Sequence, residues 1–98
     1  MEKPVLVTTS HRGVFFGYAE ESKFAEVPKT KSLNVSRCRN CLSWASSNKG
    51  FLGLAANGPD GNARVGPPAE QLLILDITSV ALCSEMAAKA WEAAPWSK

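Results

Sequence analysis

Residues 4–18 read PVLVTTSHRGVFFGY, and this stretch decides the fold class. Its first six residues are apolar or β-branched, which predicts a short strand. The polar residues that follow end in Gly13, which tolerates a positive φ, and they predict a tight turn. The last five residues predict a second strand, in which Gly17 is typical of a bend at the corner of a small barrel. The stretch as a whole therefore predicts a β-hairpin.

Alternation assigns the side chains of the second predicted strand to two faces. One face carries Val14, Phe16 and Tyr18, and the other carries Phe15 and Gly17. A similar alternation over residues 32–42 predicts another strand. Its two faces are Leu33 and Val35 on one side, and Asn34, Ser36 and Cys38 on the other.

Two more apolar stretches predict strands. Residues 50–55 read GFLGLA, and residues 72–83 form the longest apolar run of the chain. In that long run the residues predicted to face the core are Leu73, Leu75 and Ile77, opposite Asp76 and Thr78. The segments between strands predict a mobile charged loop over 19–31 broken by Pro28, a turn over 45–49, and a long surface loop over 57–68.

The C-terminal segment predicts the one helix. Ser84 is a suitable N-cap, Glu85 suits the positive end of a helix, and Pro95 stops it. The intervening residues are rich in alanine. The predicted apolar side of this helix comprises Met86, Ala87, Ala90, Trp91 and Ala94.

Five short strands and one terminal helix predict a mainly β (α+β) fold in a single domain spanning residues 1–98. The connections are too short for helical crossovers, so the strands are expected to be antiparallel. Two architectures fit. One is a small open antiparallel barrel of the SH3-like or Sm-like kind, and the other is a curled sheet with the C-terminal helix packed on it.

The composition and charge restrict the class of protein. The chain has 98 residues, 45% of them hydrophobic, and a net charge of +2 that does not by itself predict nucleic-acid binding. Residues 1–49 carry eight basic and four acidic side chains, so the excess of positive charge lies in the first half. The longest apolar run is too short for a membrane span, and the N-terminus lacks the features of a signal peptide. These features, with three cysteines, predict a reducing compartment and a cytoplasmic location.

The Cys38-x-x-Cys41 spacing points either to zinc or to thiol redox chemistry. A zinc site would need Cys83 and His11 to complete four ligands, and the chain has no second close cysteine pair. Redox catalysis would need the motif at the start of a helix, whereas it lies in or after a predicted strand. Two cysteines three apart on a strand also point to opposite faces. We therefore expect no metal and no cofactor.

The sequence favours binding over catalysis. It has no nucleophile–base pair and none of the common catalytic motifs. Trp44 follows a basic segment, and aromatic and arginine side chains on one barrel face stack bases or anchor protein interfaces. Trp44 and Trp91 filling the core is the alternative, and Trp96 must dock on its own domain or on a neighbour. The candidate ligand-binding residues are Arg12, Phe15, Arg37, Arg39, Trp44, Lys49 and Arg64.

Four segments resemble a family of short uncharacterised proteins encoded by tailed phages and prophages. They are residues 4–18, Arg39-Asn40-Cys41, residues 49–55 and residues 91–96. The resemblance implies a phage accessory protein that acts inside a bacterial cell, and it transfers no catalytic residue. By analogy it implies a protein that disables a host defence system, either by binding a host protein or by sequestering a nucleotide signal.

These observations lead to one expected function and one alternative. We expect a non-catalytic binding protein, with a host protein or a small nucleotide as its partner, and exposed strand edges favour a homo-oligomer. The alternative is a small nucleic-acid-binding β-barrel module that uses Arg37, Arg39, Lys49 and Trp44.

Overall fold

The structure, a computed structural model, describes residues 1–10 and 12–96. Within these described residues, six strands and three helices follow one another. The strands are β1 (Glu2–Thr9), β2 (Val14–Glu20), β3 (Leu33–Ser43), β4 (Arg64–Val65), β5 (Ala69–Ile74) and β6 (Ile77–Leu82). The helices are α1 (Val27–Thr30), α2 (Gly50–Asn57) and α3 (Glu85–Ala93), with 3₁₀ turns at Glu21–Glu26 and Ser46–Asn48.

The predicted hairpin is confirmed as β1 and β2. They pair antiparallel, with Leu6 opposite Phe16, and the turn is closed by a 3.0 Å hydrogen bond from the Thr9 amide to the Gly13 carbonyl. The predicted faces of β2 are also confirmed, because Phe16 and Phe15 pack into different apolar clusters. A side chain at Gly17 would collide with Val35 on the neighbouring strand, so this glycine permits close strand packing.

β1 lies inside the sheet and is buried on both faces. The sheet order is β4-β3-β2-β1-β6, and β5 pairs with β3 beside β4. Val5, Leu6 and Val7 are all fully buried. Leu6 faces a core formed with α2 and α3, whereas Val5 and Val7 face a second core enclosed by the curled sheet. Buried β-branched and leucine side chains on both faces account for the unbroken apolar run in this strand.

β3 is the long strand that holds the sheet together. It pairs with β2 along one edge and with β5 and then β4 along the other. Arg37 interrupts it with a φ of 49°, in the left-handed region that side chains other than glycine rarely adopt. This irregularity changes the alternation, so Cys38 joins Leu33 and Val35 in one core. The prediction that Cys38 lies on the opposite face was therefore wrong.

The run over residues 72–83 is two strands instead of one. Leu75 and Asp76 form a corner, and Asp76 has a φ of 56°. β5 then pairs with β3, whereas β6 pairs with β1 on the far side of the sheet. Of the three residues predicted to face the core, Ile77 is buried, but Leu73 and Leu75 are more than half exposed. Because two residues connect opposite edges, the sheet must curl on itself.

Two other segments also depart from the predicted structure. Residues 50–55, predicted as a strand, form most of α2, which packs Leu54 and Ala55 into the core. Residues 19–31, predicted as a loop, continue β2 and then form a 3₁₀ turn and α1, with Pro28 in the first turn of α1. Proline is acceptable there because the first amides of a helix have no intrahelical partner. The predicted loop over 57–68 also contains β4.

The C-terminal helix is confirmed as α3. The Ser84 hydroxyl accepts a 3.0 Å hydrogen bond from the Ala87 amide, as expected of an N-cap. Trp91 is fully buried, stacks on Phe16 at 5.6 Å between ring centroids, and donates its indole N–H to the Leu54 carbonyl. Met86, predicted on the apolar side, is exposed. In the described parts of the chain, no helix has the length and apolar character needed to cross a membrane.

These elements form a mainly antiparallel β structure with the C-terminal helix packed on one face of the sheet. This is the predicted fold class, in its form as an open, curled sheet. The structure adds two short helices to the one predicted. The turn before β2 and the end of β3 come to one end of the sheet because β2 and β3 pair antiparallel, and α2 begins seven residues after the end of β3.

Candidate protein-binding surface

The seven predicted binding residues fall into distinct environments. Arg39 is buried, and Phe15 is half-buried. The other five are exposed: Arg12, Arg37, Trp44, Lys49 and Arg64. Exposure alone does not make a surface, so the position of each side chain in the fold decides which of them could meet a ligand together.

Arg39 has a structural role. It is only 3% exposed, and its guanidinium donates to four backbone carbonyls. The acceptors are Gly66 at 2.7 Å, Trp91 at 2.8 Å, Glu92 at 3.3 Å and Ala94 at 2.7 Å. Three of these carbonyls lie at the C-terminus of α3, where backbone acceptors lack the amides of a following turn and where a positive charge is favoured; the Trp91 carbonyl also accepts from the Ala94 amide at 3.4 Å. Burial lowers the pKa of the guanidinium, but arginine stays charged.

Arg37 also has its contacts within the chain. Its guanidinium lies 3.8 Å from the ring centroid of Tyr18, a cation–π contact. It forms ion pairs with Glu2 at 3.4 Å and with Glu92 at 3.7 Å. Burial and, next, the Glu92 carboxylate raise the pKa of Tyr18. Arg37 thus ties β3 to the N-terminus and to α3, away from the other exposed candidates.

Phe15 lines a small apolar cavity of about 270 Å³ together with Thr9 and the end of β5. Arg37 lines a separate polar cavity of about 660 Å³ with Ser36, Glu70 and Gln71. These two cavities share no lining residue, so Phe15 and Arg37 do not form one site.

The remaining predicted residues do gather at one end of the sheet. Arg64 pairs with Ser43, the residue before Trp44, and Lys49 follows the 3₁₀ turn that comes after Trp44. Arg12 lies in the turn before β2, and because β2 and β3 are antiparallel this turn meets the end of β3. Trp44 is 42% exposed, which leaves a large part of the indole available for contact.

Two exposed leucines that the sequence did not single out lie in the segments on either side of Trp44, one near the end of β3 and one in the first turn of α2. Leu42 is 53% exposed and Leu52 is 72% exposed. The position of Leu42 follows from alternation, since its neighbour Cys41 is buried. The sequence did not predict the exposed position of Leu52, because residues 50–55 were interpreted as a strand. We define the Trp44 surface as these residues: Arg12, Leu42, Trp44, Lys49, Leu52 and Arg64.

Hydrogen bonds hold the turn that follows Trp44. The buried Asn48 side-chain oxygen accepts from the Ala45 amide at 3.1 Å. The Ser47 hydroxyl donates to Asp60 at 2.7 Å, and Asn62 donates its side-chain amide to Ser47 at 3.0 Å. The Ser47 hydrogen bond, more than any other contact, lowers the pKa of Asp60. The 57–68 loop therefore supports the turn that carries Trp44 and Lys49.

The cysteines lie in separate places. Cys38 and Cys41 are both buried, but they belong to different cores, as expected of two cysteines on opposite faces of one strand. Burial raises the pKa of both thiols to about 11 and that of Cys83 to about 12. His11, the fourth member of the alternative zinc set, lies outside the described residues. Within the described residues, no three His, Cys, Asp or Glu side chains are grouped so as to hold a metal ion.

Comparison with known proteins assigns a family to the chain. No curated protein and no solved structure matches it. The profile of a family described as a domain of unknown function (DUF6948) matches residues 2–91, which covers all six strands and most of α3. The chain therefore belongs to the DUF6948 family.

Proposed function

We propose that this protein is a non-catalytic binding protein whose Trp44 surface docks on an acidic patch of a partner protein. The observation that carries the proposal is the half-exposed Trp44 at the end of β3, together with the exposed leucines and cations of the adjoining segments. The partner we propose is a host protein of a defence system. The protein itself would be a phage accessory protein in the bacterial cytoplasm, as its resemblance to phage-encoded proteins implies.

The composition of the Trp44 surface supports a protein partner. Tryptophan and arginine dominate the residues that carry binding energy at protein interfaces, and apolar neighbours exclude water from them. Leu42 and Leu52 can supply that apolar surround. Arg12, Lys49 and Arg64 all carry positive charge, which favours encounter with a negatively charged surface.

A small nucleotide is a weaker fit to this surface. Ligand pockets are concave and bury most of the ligand. Among the predicted binding residues, Phe15 and Arg37 line the two cavities described above, and neither belongs to the Trp44 surface. The chemistry of the thiols supports a non-catalytic role, because cysteines with pKa values near 11 or 12 are protonated at neutral pH and are poor nucleophiles.

The test is a comparison of matched variants in one binding assay. Purified protein with an affinity tag is incubated with host-cell extract, and the captured protein is then purified and titrated against each variant. Trp44→Ala is expected to weaken binding at least about 30-fold, as an interface anchor that costs 2 kcal/mol or more does. Met86→Ala, which removes an exposed apolar side chain from α3, is the control and should bind like the wild type. Equal affinity of Trp44→Ala and wild type would refute the proposal.

Binding of single-stranded nucleic acid is the second candidate, because an exposed indole beside cations can also stack on a base. It makes a different prediction. If Arg12, Lys49 and Arg64 contacted phosphates, the logarithm of affinity would fall with that of salt concentration with a slope of about −2. A fluorescent oligonucleotide titrated at several salt concentrations measures this slope. We expect no saturable binding at physiological salt.

A further inference from the structure

The β6 strand has an open edge. Among the described residues it pairs only with β1, and at its start the Ile77 amide donates to the Lys31 carbonyl at 3.0 Å. The Cys83 amide donates to the Pro4 carbonyl at 2.9 Å, so these two residues form a hydrogen-bonded pair. In an antiparallel ladder, such pairs alternate with pairs that are not hydrogen-bonded. Leu82 and Val80, opposite Val5 and Val7, therefore turn their N–H and C=O groups away from β1. These backbone groups are available to a further strand.

A groove runs beside this edge. One wall consists of Phe24, Val27, Pro28 and, beside the start of β6, Lys31, and β6 forms the other wall. Its volume is about 420 Å³, and most of its lining side chains are apolar. Val80 packs into the core beneath it, whereas Leu82 is 60% exposed and has little cover within its own chain. A strand added to β6 would lie in this groove and cover Leu82.

We propose that the occupant is β6 of a second copy of this chain, in a symmetric antiparallel dimer. The two-fold axis lies at Ala81, which faces Ala81 of the other copy as a pair without hydrogen bonds. Val80 of each copy then faces Leu82 of the other as a hydrogen-bonded pair. This register uses every outward N–H and C=O of Val80 and Leu82, giving four hydrogen bonds between the copies.

Three observations favour a second copy over another partner. β6 reads ITSVAL and carries no charge, so two copies can face one another without like-charge repulsion. Natural sheet edges are commonly protected by a charged residue or proline, and residues 77–82 contain neither. Leu82, whose exposed apolar side chain a partner would cover, belongs to β6, and the groove that would receive the partner lies beside the same strand. The β6 strand of one copy is thus complementary to the β6 edge and groove of the other.

Sedimentation of matched variants tests the proposal. The wild type is expected at micromolar concentration as a species of twice the 10.5 kDa chain mass. Leu82→Pro removes an outward amide from each copy without a loss to the β1 ladder, and proline is tolerated on an edge facing solvent. It should raise the dimer Kd at least about 10-fold above that of Leu82→Ala, which removes the same side chain but keeps the amide.

A cross-link tests the register and does not depend on Leu82→Pro folding. Pairs without hydrogen bonds place Cα atoms about 4.5 Å apart, within the range that a disulfide spans. Ala81→Cys should therefore form a covalent dimer on mild oxidation. The wild type reports any background from the native cysteines, and Ser46→Cys reports random collision at an exposed site. A monomeric wild type, or a cross-link no faster for Ala81→Cys than for Ser46→Cys, would overturn the proposal.

Discussion

At the scale of single residues, two arginines on one strand have opposite roles. Arg37 is exposed on a left-handed irregularity, and Arg39 is buried against the end of α3. The sequence places both in a basic segment and does not distinguish them, because burial depends on which element packs over the strand. Arg39 became a core residue only because the C-terminus of α3 ends above it. No local pattern in residues 37–41 contains that information.

Arg39→Met is expected to lower the free energy of unfolding by about 3–5 kcal/mol, since it leaves buried carbonyls without a donor. Arg37→Ala is the matched control. Its ion pairs are exposed, so its loss should be no more than about 1 kcal/mol. Urea denaturation of both variants measures the difference. Losses of similar size would contradict the structural role assigned to Arg39.

At the scale of elements, short strands with clear alternation were predictable and short helices were not. β2 and the first half of β3 follow the period of two, and β1 is marked by its unbroken apolar and β-branched run. α2 has only eight residues, and Phe51, Leu54 and Ala55 show helical spacing over barely one turn. In the run over 72–83, apolar residues continue through a corner, which hides the break between β5 and β6. Leu73 and Leu75 were assigned to the core because nothing in their residue types marks that corner.

The corner at Asp76 supplies a test of this explanation. Asp76 has a φ of 56°, at which glycine has no side chain to clash. Asp76→Gly should therefore leave the free energy of unfolding unchanged or raise it by up to about 1 kcal/mol. Asp76→Val should lower it by about 1–3 kcal/mol, since β-branched residues are strongly disfavoured there. Thermal unfolding followed by circular dichroism gives both values. If valine proves as stable as glycine, the left-handed corner is not a constraint on the fold.

At the scale of the whole molecule, the fold class and the C-terminal helix could be predicted from the sequence, whereas the Trp44 surface could be predicted only in part. Four of the seven predicted residues lie on the Trp44 surface. Its two leucines emerge only when β3 and α2 are both in place. The open edge of β6 required knowledge of which strands pair, and residue types along one chain do not determine that.

The three cysteines make the folded protein less stable at alkaline pH. Their pKa values rise from 9.0 in the unfolded chain to about 11 or 12 when folded. The folded state then holds protons that the unfolded state loses, so their contribution is complete below pH 9 and declines as pH rises towards 11 or 12. Cys38→Val should reduce this decline by about 1–3 kcal/mol. Urea denaturation at a series of pH values measures it, and an unchanged decline would exclude Cys38 as a source.

The position of β1 between its neighbours has a consequence for synthesis in the cell. Thr8 pairs with Ser79, which is encoded 71 residues later. At roughly 5–20 residues per second, the ribosome needs about 4–14 s to add that span. For this time one edge of an apolar strand has no native partner, although β2 is already available on the other side. The nascent chain is therefore most prone to aggregation before β6 emerges, and chaperones that shield hydrophobic strands would act in this interval.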